Sequence, residues 1–332
     1  MTPGGRHSQS FSLRQAVRFD GLWWREFGRM GCVYGPDWWK RYSPPAIAAI
    51  IFMLVSRNRR AATHNMQRVV GPQGWWRDRR EALRMFVQFA HCFTETHEAY
   101  GARPAPVELI PPDEDPLAAA LAEGRGAVVV TAHFGNSDVA SRGLARYQCP
   151  VNVVMAREAN LTVATHHADT THQPRGSRVV YDSTSTFRSL DLLRALRNNE
   201  IVAVQFDTHP LAPGSTGVEF FGQPAGFHLG PFLLARAART AVIPVFVVRL
   251  GRRRYAIRVY RRHDPRSPQE ALLALRNVVQ DLEQLVREYP HQWFQFSPYW
   301  DHAPPLATGR AVQRSKRLES EDAAQGRKTS AA

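Results

Sequence analysis

The chain is poor in cysteine. Its 332 residues hold 3, Cys32, Cys92 and Cys149, scattered and odd in number. That pattern argues against a disulfide framework or a cysteine metal site and fits a reducing cytoplasmic setting. Each cysteine reads as a small packed residue rather than a nucleophile. A long apolar run is also missing. The best one, Pro44 to Val55 (PPAIAAIIFMLV), falls well short of the ~20 residues that span a bilayer. Arg57, Arg59 and Arg60 follow it closely, so it reads as a helix dipping into one leaflet or as a buried core helix. The N-terminus lacks the charged-then-apolar pattern of a signal peptide, so export is not expected. Acid is short as well: 29 Asp/Glu face 43 Lys/Arg, a net charge of +14.

That charge calls for an acidic partner, and its distribution narrows the choice. Residues 1–80 hold 14 Lys/Arg against 4 Asp/Glu, so most of the excess lies there. The same stretch carries the pairs Trp23-Trp24, Trp38-Trp39 and Trp75-Trp76, six of the 8 tryptophans. An amphipathic ring and a snorkelling cation both suit the lipid headgroup layer. Ordinary core tryptophan beside a solvated basic face would give the same composition. A nucleic-acid binder would account for the charge, but no binding motif is present and it would need no N-terminal tryptophans.

With 44% hydrophobic and 22% charged residues, the composition is that of a globular chain. Residues 1–100 read as a helical, basic, Trp-rich membrane-associating segment, with Pro44-Pro45 opening the short apolar helix. Residues 101–116 (GARPAPVELIPPDEDP) read as a linker, 117–302 as an α/β domain and 303–332 as a disordered tail. Within the α/β stretch, strand-like runs at Ala127–Ala132, Val151–Ala156, Ile201–Phe206, Val242–Arg249 and Tyr255–Tyr260 alternate with helical ones. The helical runs are Leu117–Glu123, Val139–Arg146, Leu190–Asn198, Pro231–Arg239 and Pro268–Glu288. The expected fold is α/β, a mixed, largely parallel sheet flanked by helices.

The residues that carry chemistry begin at the end of AVVVTA. His133 follows directly on that buried run, where α/β sheets place their ligands. Gly135-Asn136 turn the chain, Ser137 reads as the cap of the next helix, and Asp138 falls in its first turn. A carboxylate on one ring nitrogen fixes the tautomer and raises the basicity of the other, so Asp138 is expected to make His133 a general base. A satisfied histidine at a strand end is an equally common outcome of the same pattern. The cluster His166, His167 and His172 invites a metal, but no zinc-binding spacing supports it. Arg252-Arg253-Arg254 and Arg261-Arg262 fit either a phosphate contact or a solvated edge hairpin.

The segment His133-Phe134-Gly135-Asn136-Ser137-Asp138 resembles the H-x4-D/E motif of the lysophospholipid acyltransferase superfamily. It is most similar to the branch of bacterial lipid A late acyltransferases, with its HFGN-W-E/D pattern. Further blocks follow in order: Asp207 closing IVAVQFD, Gly217 to Gly222 (GVEFFG), Gly230-Pro231 with Leu234-Ala235-Arg236, Val242-Ile243-Pro244, and Gln292-Trp293. The similarity spans roughly residues 40–301. Ser137 stands where the branch has tryptophan, Asp138 where glutamate is commoner, and Thr208 where glutamine follows the aspartate. Aspartate at the acid position is similar to the mycobacterial phosphatidylinositol-mannoside acyltransferases of the same superfamily.

This resemblance implies a glycerolipid acyltransferase-like sandwich and transfer of an acyl chain from acyl carrier protein or acyl-CoA to a glycolipid hydroxyl. A phospholipid, a phosphatidylinositol mannoside or a secondary-metabolite glycoside are alternative acceptors. It implies no cofactor and no metal, no nucleic acid, and a place on the cytoplasmic face of the inner membrane, peripheral or monotopic. His133 and Asp138 would be the catalytic dyad, with Asp207 orienting and Arg175 or Arg178 as site arginines. Arg157 and the backbone N–H groups near Gly135 and Asn136 would meet the substrate, and oxyanion donors would come from these groups. Glu219, Phe221 and Gly222 would line the substrate site.

Overall fold

The computed structural model describes residues 30–100, 104–156, 177–182, 186–207, 215–301 and 303–307. Its centre is a seven-stranded sheet. The strands are β1 (Glu108–Ile110), β2 (Ala127–Thr131), β3 (Val151–Ala156), β4 (Ser177–Asp182), β5 (Ile201–Gln205), β8 (Ala241–Gly251) and β9 (Arg254–Val259). Their order across the sheet is β1-β9-β8-β2-β5-β3-β4. Every neighbouring pair is parallel except β8 with β9, which form an antiparallel hairpin. The mixed, largely parallel α/β sheet is therefore as the alternation of elements predicts.

β2 shows why that sheet forms. AVVVT is β-branched and almost wholly buried, as parallel strands covered on both faces must be. Val128 and Val130 point into one core and Ala127 and Val129 into another, as the two-residue period of a strand requires. The first core is closed by α6 (Thr186–Arg197), α7 (Gly230–Ala238) and α8 (Pro268–Glu288), through Leu196, Phe232, Leu275 and Leu282. The second is closed by α4 (Pro116–Ala122), through Leu117 and Ala120. α8 starts at the Ser267 cap, whose side chain accepts from Glu270 N, and puts its apolar face inward. A separate hairpin, β6 (Ser215–Phe220) with β7 (Gln223–His228), lies against α8. α5 (Ser137–Leu144) follows β2.

Three helices precede the sheet: α1 (Asp37–Leu54), α2 (Ser56–Val70) and α3 (Trp75–Tyr100). Pro44 and Pro45 lie inside α1 instead of opening it. Pro44, Ala48 and Phe52 form a stripe at i, i+4, i+8, and Ala48 and Phe52 pack with Met66, Ala82, Met85 and Phe86. Phe294 and Phe296 join that cluster from the far end of the chain. Asn65 Nδ2 donates to the carbonyls of Gln295 (3.0 Å) and Ser297 (2.7 Å), tying α2 to the same segment. Among the described residues no helix is long and apolar enough to cross a membrane.

Two stretches depart from the boundaries expected from sequence. Glu108–Ile110, within the presumed linker, adds β1 to the sheet edge. Residues 303–307 dock on the body, with Ala307 N donating to Gly217 O at 2.9 Å. A side chain on Gly217 would collide with Pro305 O at 2.1 Å, so this crossing needs glycine. Arg157, Arg175, Thr208, the His166/His167/His172 cluster and Trp23-Trp24 lie outside the described residues.

Gly126, at the entry to β2, gives a test of the sheet's tight start. It has φ +61°, and an added Cβ would lie 2.4 Å from Glu200 O and 2.8 Å from Leu196 O. Gly126→Ala is expected to destabilise the protein by about 2–4 kcal/mol in urea denaturation, from left-handed strain plus overpacking. Gly124→Ala, also at positive φ but with open space around it, should cost only about 1 kcal/mol.

Candidate active site

β2 ends at Thr131 and the chain breaks out of the sheet at Ala132-His133. Its parallel neighbour β5 ends at Gln205 in the same register, so Asp207 leaves the sheet beside His133. Phe206 N still donates to Thr131 O at 2.9 Å, holding the two strand ends together. Both residues thus stand at the carboxyl edge of the central strands, where this class of sheet opens its crevice.

His133 and Asp207 are in direct contact. The imidazole Nδ1 lies 2.9 Å from Asp207 Oδ1, and the His133 backbone N–H donates to both carboxylate oxygens at 3.0 Å. An ionised carboxylate only accepts, so Nδ1 carries the hydrogen and Nε2 keeps its lone pair. The Asp207 side chain is 0% exposed, whereas that of His133 is 38% exposed. A carboxylate buried without partners would be costly, and this one has several. Trp293 Nε1 donates to Oδ2 at 3.0 Å and Gln295 Nε2 to the same oxygen at 3.2 Å. Gln295 Nε2 also reaches the Asp207 carbonyl at 3.1 Å.

Protonation follows from these contacts. Burial opposes a charge on His133, but the neighbouring Asp207 carboxylate and its hydrogen bond outweigh it, and the imidazole sits above its ordinary range. Burial alone would raise the Asp207 carboxyl. The imidazole beside it and its N–H donors, Trp293 among them, hold it below the usual carboxylate range.

The backbone around the histidine is fixed on both sides. Phe294 N donates to His133 O at 2.7 Å and Gly135 N to Gln292 O at 2.8 Å, so residues 292–294 lie along 133–135 like a short strand. Gln292 extends the clamp to β8, accepting from Arg249 N through Oε1 (2.8 Å) and donating to Arg249 O through Nε2 (2.9 Å). Gly135 has φ +59°, and a Cβ there would fall 1.7 Å from Val247 O. Only glycine fits at this approach.

Asn136, not Ser137, caps α5, its side chain accepting from Val139 N at 3.1 Å. Its amide donates to Cys92 O (3.0 Å) and Tyr255 Oη (3.3 Å), and Thr96 Oγ1 donates to it at 3.0 Å. Tyr255 in turn donates to Glu95 (2.5 Å), which pairs with Arg249 at 2.6 Å. Asn136 therefore roots the turn in a buried polar network between α3 and the sheet.

Nδ1, where a carboxylate from Asp138 is expected, is held by Asp207. The positive φ at Gly135 and the cap at Asn136 carry the chain around, and Asp138 falls on the exposed side of the first turn of α5. Gly135 N, expected as an oxyanion donor, is engaged by Gln292 O. Arg178 lies on β4, the edge strand, opposite Asn152. Glu219 is exposed on β6, facing Pro224 across the hairpin. Phe221 and Gly222 form the hairpin turn. Phe221 N donates to Glu283 at 2.7 Å and its ring lies under Arg287 at 4.7 Å, so its contacts run to α8. Gly222 has φ +71°, with nothing within 4 Å of an added Cβ.

Gln292, Trp293 and Gln295 are the functional-site residues whose roles sequence reasoning misses. The signal available is the run HQWFQF, in which both amides and Trp293 are buried and Phe294 and Phe296 are partly buried. Amides buried among such rings need specific partners, and here the partners are Asp207 and Arg249.

A family model described as bacterial lipid A biosynthesis acyltransferase matches residues 19–302. Phosphatidylinositol mannoside acyltransferases from two strains of Mycobacterium tuberculosis, CDC 1551 / Oshkosh and ATCC 25618 / H37Rv, are each 28% identical over 187 residues. Those alignments cover 56% of this chain and 58% of the relatives, so the chain spans little more than half the length of the curated relatives it matches. Because the family model covers most of the chain, including both His133 and Asp207, this protein belongs to the bacterial lipid A biosynthesis acyltransferase family.

Proposed function

We propose that the protein transfers a fatty acyl chain from a thioester, on acyl carrier protein or coenzyme A, to a hydroxyl of a membrane glycolipid. The observation that carries this reading is a half-exposed histidine whose Nδ1 is held by a fully buried carboxylate. That arrangement leaves Nε2 as a base directed outward. Nε2 takes the proton of the acceptor hydroxyl as its oxygen bonds to the thioester carbonyl carbon. The tetrahedral intermediate then collapses, the C–S bond breaks, and the thiolate recovers that proton from the imidazolium. Asp207 stabilises the imidazolium in between. The acceptor of the mycobacterial relatives, a phosphatidylinositol mannoside by name, is a second glycolipid candidate beside a lipid A precursor.

The developing oxyanion needs donors other than Gly135 N. Arg157, Arg175 and Arg178 are proposed for this and for phosphates of donor or acceptor. Asp138 and Glu219 are proposed to meet acceptor hydroxyls, Asn136 to support the turn beneath them, and Phe221 and Gly222 to border the substrate site. The enzyme is proposed to work on the cytoplasmic face of the inner membrane as a peripheral or monotopic protein. The exposed Trp38, Tyr42, Met53, Leu54, Trp75 and Trp76 on α1–α3 support membrane contact.

Purified protein incubated with labelled acyl carrier protein or acyl-CoA and a total lipid extract should yield a labelled lipid. His133→Ala should lower that rate by about 10²–10⁴-fold. Full transfer by this variant would remove the base from the mechanism.

The pH profile distinguishes the two carboxylates. His133 must be neutral to act, so the rate should rise with pH through its raised pKa. Asp207→Asn removes the charge that raises it, so the acid limb should move to lower pH while the rate falls. Asp138→Asn should leave the position of that limb unchanged. The opposite result would return the orienting role to Asp138.

A further inference from the structure

Between the start of α2 and the start of α3 lies a cavity of about 180 Å³, away from the His133–Asp207 pair. Arg59, Arg60, His64 and Arg79 line it, together with Gln67, Trp75 and Asp78. Asp78 is its one acid. That carboxylate is committed within the protein, accepting from Gln67 Nε2 at 2.7 Å and from Gln73 N at 2.8 Å, and these bonds keep it ionised. Three guanidinium groups therefore share a small cavity with one carboxylate. Among the described residues no carboxylate pairs with Arg60 or Arg79, and Arg59 Nε is buried without a hydrogen-bond partner. Arg79 is held over the Trp75 ring at 4.3 Å, which fixes its position without neutralising it.

The rim has a different chemistry. Trp75 and Trp76 are 55% and 78% exposed on one side. On the other, Arg59 donates to the carbonyls of Phe52 (2.9 Å) and Met53 (2.8 Å), which brings in the end of α1 with its exposed Met53 and Leu54. Large exposed indoles and aliphatic side chains around a cationic floor do not suit a soluble polyanion. They suit a phosphate at the depth where tryptophan sits in a bilayer.

We propose that this cavity binds the phosphate of an anionic phospholipid headgroup, with the tryptophan and α1 rim inserted around it. The proposal rests on the reading that α1–α3 meet a membrane, and is independent of the chemistry assigned to His133. Arg60 and Arg79 supply the charge, and Trp75 keeps Arg79 in place. Arg59 is left out of the test because it also ties α1 to α2.

Cosedimentation of the full chain with vesicles of phosphatidylcholine, with and without phosphatidylglycerol, is the experiment. Wild type should bind the phosphatidylglycerol vesicles, and Arg60→Ala/Arg79→Ala should weaken binding by about tenfold or more. The control Arg57→Ala/Arg77→Ala removes the same charge from exposed positions that do not line the cavity, and should cost clearly less. Equal losses in the two double variants would overturn the cavity in favour of diffuse attraction while leaving the membrane reading intact. Failure of wild type to bind either vesicle would overturn both. Inorganic phosphate should weaken vesicle binding more than chloride of equal ionic strength does. Phosphate that fills the cavity while leaving vesicle binding unchanged would assign the site to a free anion and overturn the headgroup.

Discussion

The site depends on one buried carboxylate. Asp207 has no exposure, and an uncompensated charge in that position would destabilise the fold by several kcal/mol. Every donor that removes this penalty also does something else. The His133 backbone N–H fixes the exit of β2, Nδ1 fixes the ring, Trp293 is a core residue, and Gln295 belongs to the segment that α2 holds. Solvating Asp207 and positioning His133 are thus a single arrangement. Neither could be relaxed without exposing the other to a large cost.

The segment from Gln292 to Trp300 carries this coupling through the molecule. It bonds to the histidine turn through Gln292 and Phe294, and to β8 through the Gln292 side chain. Trp293 and Tyr299 pack edge-to-face on Phe220 of the β6–β7 hairpin, and Trp300 stacks on the same ring. Phe294 and Phe296 enter the helical cluster beside Phe86 and Phe89. The helices that carry the exposed tryptophans are therefore joined to the sheet edge at His133 by packed rings and by the Asn65 amide. On the proposed reading, a surface resting on lipid and a base acting on lipid are parts of one rigid body.

Much of the sheet is legible in the sequence because its strands are buried on both faces. Runs such as AVVVT and VNVVMA stand out without alternation, and β3 and α8 begin and end where their patterns do. β1, β4, β6 and β7 are not read that way. β1 has three residues in a proline-rich stretch, and β6 and β7 carry glycine, proline and glutamate that strand propensity disfavours. His133 is legible from its strand end. Its partner is not, because Asp138 is five positions away in sequence while Asp207 reaches it only through the pairing of β2 with β5. Sequence proximity points to Asp138, whereas the register of two parallel strands puts Asp207 on Nδ1.

The same geometry separates what must be kept from what can vary around His133. Gly135 is fixed by the carbonyl of Val247, Asn136 by its cap and its buried network, and Gln292 and Trp293 by their bonds to the turn and to Asp207. These positions agree with the family pattern, and each is explained by a contact that holds the histidine. Ser137 and Asp138 depart from it, and they lie beyond the cap, where Asp138 is exposed. A change there, on the proposed chemistry, alters the surface that an incoming hydroxyl meets, while Nδ1 stays with Asp207. On the proposed chemistry, the departures bear on the acceptor and the agreements bear on the base, because only the second group is tied to Asp207.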